Sequence, residues 1–436
     1  MPFANQPALG DHMIRYTSES FPEIIVRAKG SWVWDRNGKA ILDFTSGQMC
    51  STLGHNHPAI VEAIKSSADN AIHLFSGMIP DTVAELAEDM AEILPAPLSK
   101  SMFVNTGGEA NEAALKLAKF ATGGYETVAL GGSWHGAGGG GAAVSMASDR
   151  KNHGPSLPGV YAIPEPNAYR CPVEHCRDAC DLTCMKIGFR MIDMQWTGAP
   201  AAVIAEPILS AGGVIVPPEG YFEALRRECD ARGLMLIFDE AQTAFGRIGE
   251  WFAADGLGVV PDIMAVSKTL GGGIPLAATI TSDAIEAKAY ERGFSHYTSH
   301  VSDPLPAAVG VAVLKTLKSE NLIERAREVG GYLRDRMLDL QQKYEVIGDV
   351  RGRGLLLGVE LVEDREGRVP HHKLGAMTTE RCLELGLSMN IRRRPERGSV
   401  WRIAPPLTVT TEEIDTAAGI LDQALGESLD RMAREK

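Results

Sequence analysis

The chain has 436 residues, of which 44% are hydrophobic and 23% charged, and this balance excludes a disordered protein and a protein built around a membrane span. Its net charge of −13 at pH 7 disfavours nucleic acid as a partner, because an acidic surface repels phosphate groups. The 46 glycines are about 11% of the chain against an average near 7%, which indicates many tight turns or close backbone approaches.

The N-terminal residues show no targeting pattern. Residues 1–20 lack the charged and apolar regions of a signal peptide, and Glu206 and Pro207 interrupt the most apolar stretch of the chain. Seven cysteines in a chain of this length do not make a disulfide scaffold. We therefore expect a cytoplasmic protein without a membrane partner.

The predicted elements begin with a hairpin over residues 31–45 that turns at Asn37 and Gly38. Two helices follow at 57–71 and 81–94, the second with Asp81 as its N-cap. Short apolar segments then predict six strands, separated in places by helices such as 220–233: 101–104, 127–130, 201–207, 234–240, 262–268 and 276–282. Several are continuous apolar runs, which is typical of strands buried on both faces.

This order of elements predicts a doubly wound α/β fold with a mostly parallel sheet, in which ligands bind at the carboxyl ends of the strands. After about residue 306 the pattern is helical, and it then predicts short strands and a final helix from about 411. We expect a large cofactor-binding domain and a smaller α+β domain built from both chain ends, with these boundaries: 1–57 and 306–436 in the small domain, 58–305 in the large one.

Polar pairs end two of the predicted strands: Asp239 with Glu240, and Ser267 with Lys268. A lysine amine can form a Schiff base with an aldehyde cofactor, and a carboxylate can keep the ring nitrogen of pyridoxal phosphate protonated. The two pairs therefore predict a pyridoxal-phosphate site if both strands lie in one parallel sheet. An ordinary salt bridge or two solvated strand ends would explain either residue alone.

A phosphate site is predicted where strand 101–104 runs into Thr106, Gly107 and Gly108 and then into a helix. Glycines at a helix entrance let backbone N–H groups approach a phosphate, whose charge the helix dipole favours. A plain strand-to-helix turn is the alternative. Trp134, after the next strand, is a candidate to stack on a flat cofactor, with a core tryptophan as the alternative.

Longer motifs carry a resemblance to a known family. DEAQT at 239–243 with Gly246 and Arg247, and SKTLGGGIPL at 267–276, are similar to the signature of class III pyridoxal-phosphate-dependent aminotransferases. The resemblance covers nearly the whole chain. It implies a fold-type I enzyme that is a homodimer at minimum, with a homotetramer as the family's habit, and that uses small amino acids and 2-keto acids.

By matching position, the resemblance assigns cofactor-binding roles to seven residues. Lys268 would bind the aldehyde, Asp239 the ring nitrogen and Gln242 the 3-oxygen, and Trp134 would stack on the ring. Gly107 and Gly108 would hold the phosphate together with Ser299, which would come from the partner subunit. Lys268 would also move protons during the reaction.

Four segments narrow the resemblance to the 2,2-dialkylglycine decarboxylases: LDFTSGQM (42–49), HLFSGM (73–78), HVSDPLP (300–306) after Tyr297, and RIAPPL (402–407). The resemblance implies that a 2,2-dialkylglycine such as 2-aminoisobutyrate yields CO2 and a ketone, and that its amino group passes to pyruvate or a similar 2-keto acid. Gln48 would face the departing carboxyl group, and Arg402 would bind the carboxylate of the keto acid. Of the bonds at the substrate Cα, the one that lies perpendicular to the cofactor ring is the one that breaks.

The same resemblance implies a site for an alkali cation, potassium or sodium, formed by residues of two loops: Leu74, Ser76, Ser299, Val301 and Asp303. The chain departs from the family at Ala137, where a larger residue is usual, and at Ala211, where the decarboxylases have serine. Both positions are expected to line the substrate pocket, and loss of the hydroxyl would favour plain transamination.

Other interpretations stay open. A class III aminotransferase or an amino-acid epimerase without decarboxylation would keep the cofactor-binding residues. A nicotinamide dehydrogenase is disfavoured, because the G-x-G-x-x-G pattern at 136–141 does not directly follow a strand. The run 392–395 is interpreted as a solvated surface turn rather than an anion site.

A cluster of metal-ligating residues lies within 14 residues of the chain: Cys171, His175, Cys176, Cys180 and Cys184. Zinc sites usually contain C-x2-C pairs, and the spacing here differs from that pattern. Reduced loop thiols are therefore favoured over a structural zinc site.

Overall fold

A seven-stranded sheet forms the centre of the computed structural model, which describes residues 12, 14, 23–147, 154–177, 179–394 and 398–435. From one edge to the other, its strands are β4 (Lys100–Val104), β10 (Ala277–Thr281), β9 (Ile263–Val266), β8 (Met235–Asp239), β7 (Pro200–Ala205), β5 (Glu126–Leu130) and β6 (Val160–Ile163). β10 is antiparallel to both of its neighbours, and β9, β8, β7, β5 and β6 pair in parallel. The predicted doubly wound, mostly parallel sheet is confirmed.

Helices cover this sheet and connect it to the rest of the chain. In chain order they are α1 (Ser46–Met49), α2 (Pro58–Asn70), α3 (Asp81–Ile93), α4 (Gly107–Thr122), α5 (Gly139–Val144), α6 (Thr183–Asp193), α7 (Tyr221–Arg232), α8 (Ala253–Leu257), α9 (Asp283–Glu291), α10 (Pro304–Ser319), α11 (Leu322–Lys343), α12 (His372–Leu385) and α13 (Thr411–Arg434). α4 crosses the middle strands of the sheet, and α10 packs against α2 and α3. No described helix is both long and apolar enough to cross a membrane.

Two four-stranded sheets lie outside the central one. The first contains β1 (Ile25–Lys29), β2 (Trp32–Asp35), β3 (Ala40–Asp43) and β13 (Leu387–Ser388); the second contains β11 (Ile347–Arg353), β12 (Leu356–Leu361), β15 (Gly398–Ile403) and β14 (Asn390–Arg394). β13 pairs in parallel with β3, so strands from near both chain ends share one sheet. The domain boundaries after residues 57 and 305 stay a prediction.

The predicted hairpin is present as β2 and β3. Its turn is closed by Asp35, whose Oδ1 accepts hydrogen bonds of 2.8 Å from the backbone N–H groups of Asn37 and Lys39. Gly38 has a φ of 86°, which glycine adopts without strain.

The prediction that Asp81 caps α3 is wrong. Pro80 occupies the N-cap in an extended conformation, and Asp81 is the first helical residue. Oδ1 of Asp81 accepts from the N–H of the next residue, Thr82, at 2.7 Å, so the carboxylate still satisfies one free donor of the first turn.

The solvated turn proposed for 392–395 is also wrong where the structure describes it. Residues 392–394 belong to β14, at the edge of the second small sheet, in register with β15. Pro395 lies outside the described residues. Three strands have no counterpart in the prediction: β1, β6 and β11. Charged residues interrupt β1 (IVRAK) and β11 (IGDVRGR), and β6 (VYAI) is an apolar run of only four residues.

Candidate active site

The turns after β4, β5, β7, β8 and β9 surround a cavity of about 320 Å³ at the carboxyl edge of the central sheet. Its lining includes eight residues that the sequence predicted for the site: Gln48, Thr106, Gly107, Gly108, Trp134, Asp239, Gln242 and Lys268. The parallel strands bring these side chains together, as expected for an α/β sheet.

Asp239 and Lys268 come from adjacent strands. Asp239 is the last residue of β8 and pairs with Ala265 of β9, three residues before Lys268. β9 ends at Val266, earlier than predicted, and Lys268 begins a short 3-10 helix with a φ of +51°. This left-handed conformation is unusual for a residue other than glycine, and such strain is often retained at functional sites.

The Asp239 carboxylate is buried and held in place by two side chains. Its Oδ2 lies 2.8 Å from Nδ1 of His135 and accepts a 2.7 Å hydrogen bond from Nδ2 of Asn111. Burial by itself raises the pKa of this carboxyl, but His135, Lys268 and Asn111 outweigh it and hold the pKa below its usual range. Asp239 therefore presents a negative charge to the cavity.

The environment of the Lys268 amine favours its neutral form, whereas that of Asp239 favours the charged form. Burial lowers the pKa of Lys268, the charge of Arg402 adds to that effect, and the charge of Asp239 opposes it. A larger fraction of the amine is consequently neutral near pH 7 than in water. A neutral amine is the form that attacks an aldehyde.

The start of α4 forms a cradle for an anion. Thr106 is the N-cap, with its Oγ1 accepting from the N–H of Glu109 at 3.3 Å, and Gly107 and Gly108 form the first turn. The helix thus begins two residues earlier than predicted. A Cβ at Gly107 would lie 2.7 Å from Oγ of Ser267, so only glycine leaves this entrance open.

Trp134 lines the cavity with 38% of its surface exposed, so it is not a core tryptophan. Its backbone N–H donates to Oε1 of Glu206 at 2.7 Å, and the backbone N–H of Ser210 donates to Oε2 at 3.2 Å. Burial raises the pKa of Glu206 to about 7, despite the opposing charge of His135. The cavity wall therefore contains two carboxyls with opposite shifts, the pKa of Asp239 being lowered and that of Glu206 raised.

Arg402 extends from β15 toward this site. Its Nη1 lies 3.2 Å from Oε1 of Gln242 and 3.4 Å from Oγ of Ser210. Gln48 lies in α1, whose backbone is kinked at Gly47 and Gln48, and its exposed side chain lines the cavity. A guanidinium and an amide that can each bind a carboxylate thus lie near the buried lysine.

The residues predicted for an alkali cation lie outside the cavity lining: Leu74, Ser76, Ser299, Val301 and Asp303. Both carboxylate oxygens of Asp303 are engaged by histidines, Oδ1 by Nδ1 of His73 and Oδ2 by Nδ1 of His300, each at 2.6 Å. Ser299 is exposed in the single chain. The cation and the contribution of Ser299 from a partner subunit stay predictions.

Ala137 and Ala211 also lie outside the cavity lining. Their neighbours are closer to it: Gly136 lines the cavity, and the backbone N–H of Ser210 donates to Glu206, which lines it. The structure therefore does not assign them a direct place in the cavity wall.

Three functional residues were missed from the sequence: Asn111, His135 and Glu206. Asn111 lies one turn beyond Gly107 on the same face of α4, so helical periodicity from the glycine pair was the available signal. Glu206 directly follows β7, as Asp239 ends β8, and the same strand-end argument would have found it. His135 follows Trp134 in the turn after β5, and no pattern in the sequence marks its role.

The glycine run at 136–141 has a packing explanation. A Cβ at Gly136, whose φ is +134°, would lie 2.9 Å from Cα of Gly108, and a Cβ at Gly140 would lie 2.8 Å from Oε2 of Glu112 on α4. The run lets this loop contact the cradle backbone. Because β5 ends at Leu130, well before the run, the dinucleotide pattern lacks its structural context.

The residues present fit pyridoxal phosphate. A buried carboxylate, a buried amine and a glycine cradle at a helix N-terminus line one cavity, beside a half-exposed indole. Within the described residues, Nε2 of His135 and Oδ1 of Asn111 are buried without hydrogen-bond partners next to Asp239.

Comparison with known proteins supports this interpretation. Residues 14–425 match the family model described as aminotransferase class-III. An uncharacterized aminotransferase from Schizosaccharomyces pombe is 49% identical over 95% of this chain and 92% of its own, and a leucine/methionine racemase from Thermococcus litoralis is 34% identical over 93% and 91%. The omega transaminase from Pseudomonas jessenii in complex with PMP superposes with a TM-score of 0.87 at 27% identity, covering 97% and 99%.

Proposed function

Because the chain belongs to the class-III aminotransferase family, we propose that it binds pyridoxal phosphate and transfers an amino group from an amino acid to a 2-keto acid. We further propose that its amino donors are 2,2-dialkylglycines, which lose CO2 and leave as ketones. The observation that carries the proposal is that Gln48 lines the cavity of Lys268 and Asp239, and that the buried Arg402, outside the lining itself, donates to Gln242, which lines it.

The cofactor, when bound, supplies an electron sink for the bond that breaks at the substrate Cα. Asp239, with its pKa held low, would pair with the ring nitrogen and favour its protonated form. Lys268 would hold the aldehyde carbon and would move a proton at Nζ. The start of α4 would bind the phosphate through backbone N–H groups.

Two groups compete for the substrate carboxylate. Gln48 and Arg402 can each bind a carboxylate, so the residue that holds this group would decide which bond at Cα is aligned to break. A 2,2-dialkylglycine has no hydrogen at Cα, so the carboxylate is the group that must leave. A keto acid, whose carboxylate is retained, is bound by Arg402.

Racemisation is a second candidate, favoured by the match over 93% of the chain to a leucine/methionine racemase. A racemase also needs a lysine and an electron sink, but it breaks the bond to the Cα hydrogen. The two candidates therefore differ in which bond at the substrate Cα breaks, the bond to the carboxylate or the bond to the hydrogen.

The test supplies the cofactor-loaded protein with 2-aminoisobutyrate and pyruvate and measures CO2, acetone and alanine. We expect the three products in equal amounts. Alanine formed from an ordinary amino donor, with no CO2 from 2-aminoisobutyrate, would replace the proposal with plain transamination. D-leucine formed from L-leucine without a keto acid would favour the racemase.

We also propose a homodimer as the minimal active unit. Ser299 is exposed and lies outside the cavity lining of its own chain, as a residue that serves a partner's phosphate site would.

A further inference from the structure

The segment before α6 contains a second group of reactive side chains. A 3-10 helix (Glu174–Arg177) carries His175 and Cys176, and Asp181 lies two residues before the first helical residue of α6, Thr183. Among the described residues that line the active-site cavity, none comes from this segment. The proposed reaction leaves these side chains without a role.

The carboxylate of Asp181 lies between the other two side chains. Its Oδ1 accepts from Sγ of Cys176 at 3.2 Å and from the N–H of Thr183 at 2.9 Å. Its Oδ2 lies 3.2 Å from Nε2 of His175, which also lies 3.3 Å from Oγ1 of Thr183. The donor atoms of His175, Cys176 and Asp181 all lie within 4.8 Å of one another.

These distances are close to those around a tetrahedral zinc ion. Zinc binds sulfur, imidazole nitrogen and carboxylate oxygen at about 2.0–2.3 Å, which separates neighbouring donors by about 3.3–3.8 Å. His175 and Cys176 each lie 3.2 Å from Asp181, the imidazole from Oδ2 and the thiol from Oδ1. Side-chain rotations that draw the three donor atoms, now within 4.8 Å of one another, closer together would complete the geometry.

Further thiols surround the group. Cys171, Cys176 and Cys184 are buried, Cys180 is exposed, and none of the four is in a disulfide. Burial, and then the charges of Cys171, Cys180 and Cys176, raise the pKa of the Cys184 thiol to about 11. A soft metal ion therefore has sulfur neighbours beyond its direct ligands.

We propose that His175, Cys176 and Asp181 bind one Zn²⁺ ion, with the fourth coordination position left to water or a neighbouring thiol. Binding releases the Cys176 proton to solvent, and the ion takes the place of the hydrogen bonds that now converge on Asp181. The site would join the 3-10 helix to the start of α6. It would thereby stabilise the loop whose Arg170 forms an ion pair with the buried Glu360 of β12.

From the sequence, a zinc site was disfavoured because the cysteines of this segment form no C-x2-C pair. The folded segment instead combines one cysteine with a histidine and an aspartate, which sequence spacing among the cysteines does not display.

The test adds one equivalent of Zn²⁺ to the cofactor-loaded, reduced protein and measures the zinc retained after gel filtration. We expect one zinc per chain, a Co²⁺ form with sulfur-to-metal charge-transfer absorption, and a higher Tm with zinc. Cys176→Ser and Asp181→Asn should each weaken zinc binding at least about tenfold and remove the Tm increase. Circular dichroism and bound cofactor confirm that each variant is folded.

Two control variants separate this site from others. Asp193→Asn alters a carboxylate of α6 that pairs with Arg232, and it should retain zinc. His73→Gln alters the other group of close ligands, His73, His300 and Asp303, and should also retain zinc. Loss of zinc in His73→Gln, full retention in Cys176→Ser and Asp181→Asn, or no zinc retained by the unaltered protein would each overturn the proposal.

Discussion

Nδ1 of His135 lies 2.8 Å from Oδ2 of Asp239, and both side chains are buried at the wall of the cavity. Asn111 donates to the same oxygen at 2.7 Å and to the backbone carbonyl of His135 at 2.9 Å. The three residues come from α4, the loop after β5, and β8. The orientation of one carboxylate thus depends on three separate elements.

Asn111→Ala tests this dependence. The substitution removes two hydrogen bonds from a buried amide and leaves Asp239 with one side-chain donor, so we expect a loss of about 1–3 kcal/mol in unfolding free energy. We also expect a lower kcat, because the carboxylate is less well oriented. Thermal denaturation and steady-state kinetics measure both effects.

Asn70→Ala is the matched control, because this asparagine donates to the Ser66 carbonyl at the exposed end of α2. It should leave kcat unchanged. Equal kinetic effects in the two variants would contradict the role of Asn111 in positioning Asp239.

Two glycines of the 136–141 run should respond differently to alanine. A Cβ at Gly136 would lie 2.9 Å from Cα of Gly108, at a φ of +134°, whereas a Cβ at Gly138 meets nothing within 4 Å. Gly136→Ala should cost about 2 kcal/mol or more and weaken cofactor binding, because the cradle backbone must move. Gly138→Ala should match the unaltered protein in both unfolding free energy and cofactor affinity. Similar losses in the two variants would contradict the packing explanation.

Much of the site could be predicted because its residues end strands or begin a helix. Asp239, Lys268 and Gly107 follow buried apolar runs, and parallel strands bring such positions to one edge. Asn111 and His135 neither end a strand nor begin a helix. Helical periodicity places Asn111 on the same face of α4 as Gly107, but its pairing with Asp239 and His135 depends on how α4 crosses the sheet, which is a matter of tertiary packing.

The errors in the fold have related causes. β1 (IVRAK) is an edge strand that two charged residues interrupt, so it lacks the apolar run of a central strand. β6 (VYAI) is an apolar run of only four residues at the edge of the central sheet, and a run this short does not by itself distinguish a strand. β14 contains three consecutive arginines and is a strand because β15 offers it a pairing edge. The hairpin of β2 and β3 was predictable, since Asn37 and Gly38 specify the turn locally.

Arg402 and Gln48 should affect different half-reactions. Arg402→Gln removes a charged partner of the keto-acid carboxylate, worth about 1.5–3 kcal/mol, so KM for pyruvate should rise about 10–150-fold. Gln48→Ala should lower the yield of CO2 from 2-aminoisobutyrate more than it lowers transamination of alanine. Arg381→Gln, on the exposed face of α12, serves as the control. Equal losses in both half-reactions for Gln48→Ala would contradict its assignment.

The raised pKa of the buried Glu240 should make the unfolding free energy depend on pH. Burial raises its pKa from 4.5 to about 7, although the N–H groups of Ala253 and Ala254 and the Thr243 hydroxyl oppose this. The folded state therefore holds a proton that the unfolded chain releases. Stability should fall as pH rises from about 4.5 through 7, by up to about 3 kcal/mol for this group.

Chemical denaturation measures the unfolding free energy across this pH range, and its slope against pH is compared between the variants and the unaltered protein. Glu240→Gln should flatten the decline, and adding Glu206→Gln, whose own pKa is raised to about 7, should flatten it further. Both substitutions cost hydrogen bonds to backbone donors, so the informative quantity is the slope and not the absolute stability. A slope unchanged in the double variant would contradict the assignment.

The most direct measurement is borohydride reduction of the protein loaded with pyridoxal phosphate, followed by peptide mapping. The account predicts loss of the violet absorption and one pyridoxyl label per chain, on the peptide that contains Lys268, with no label in Lys268→Ala. A label on another lysine, or no label on the folded and loaded protein, would contradict the central claim that Lys268 and Asp239 form a pyridoxal-phosphate site.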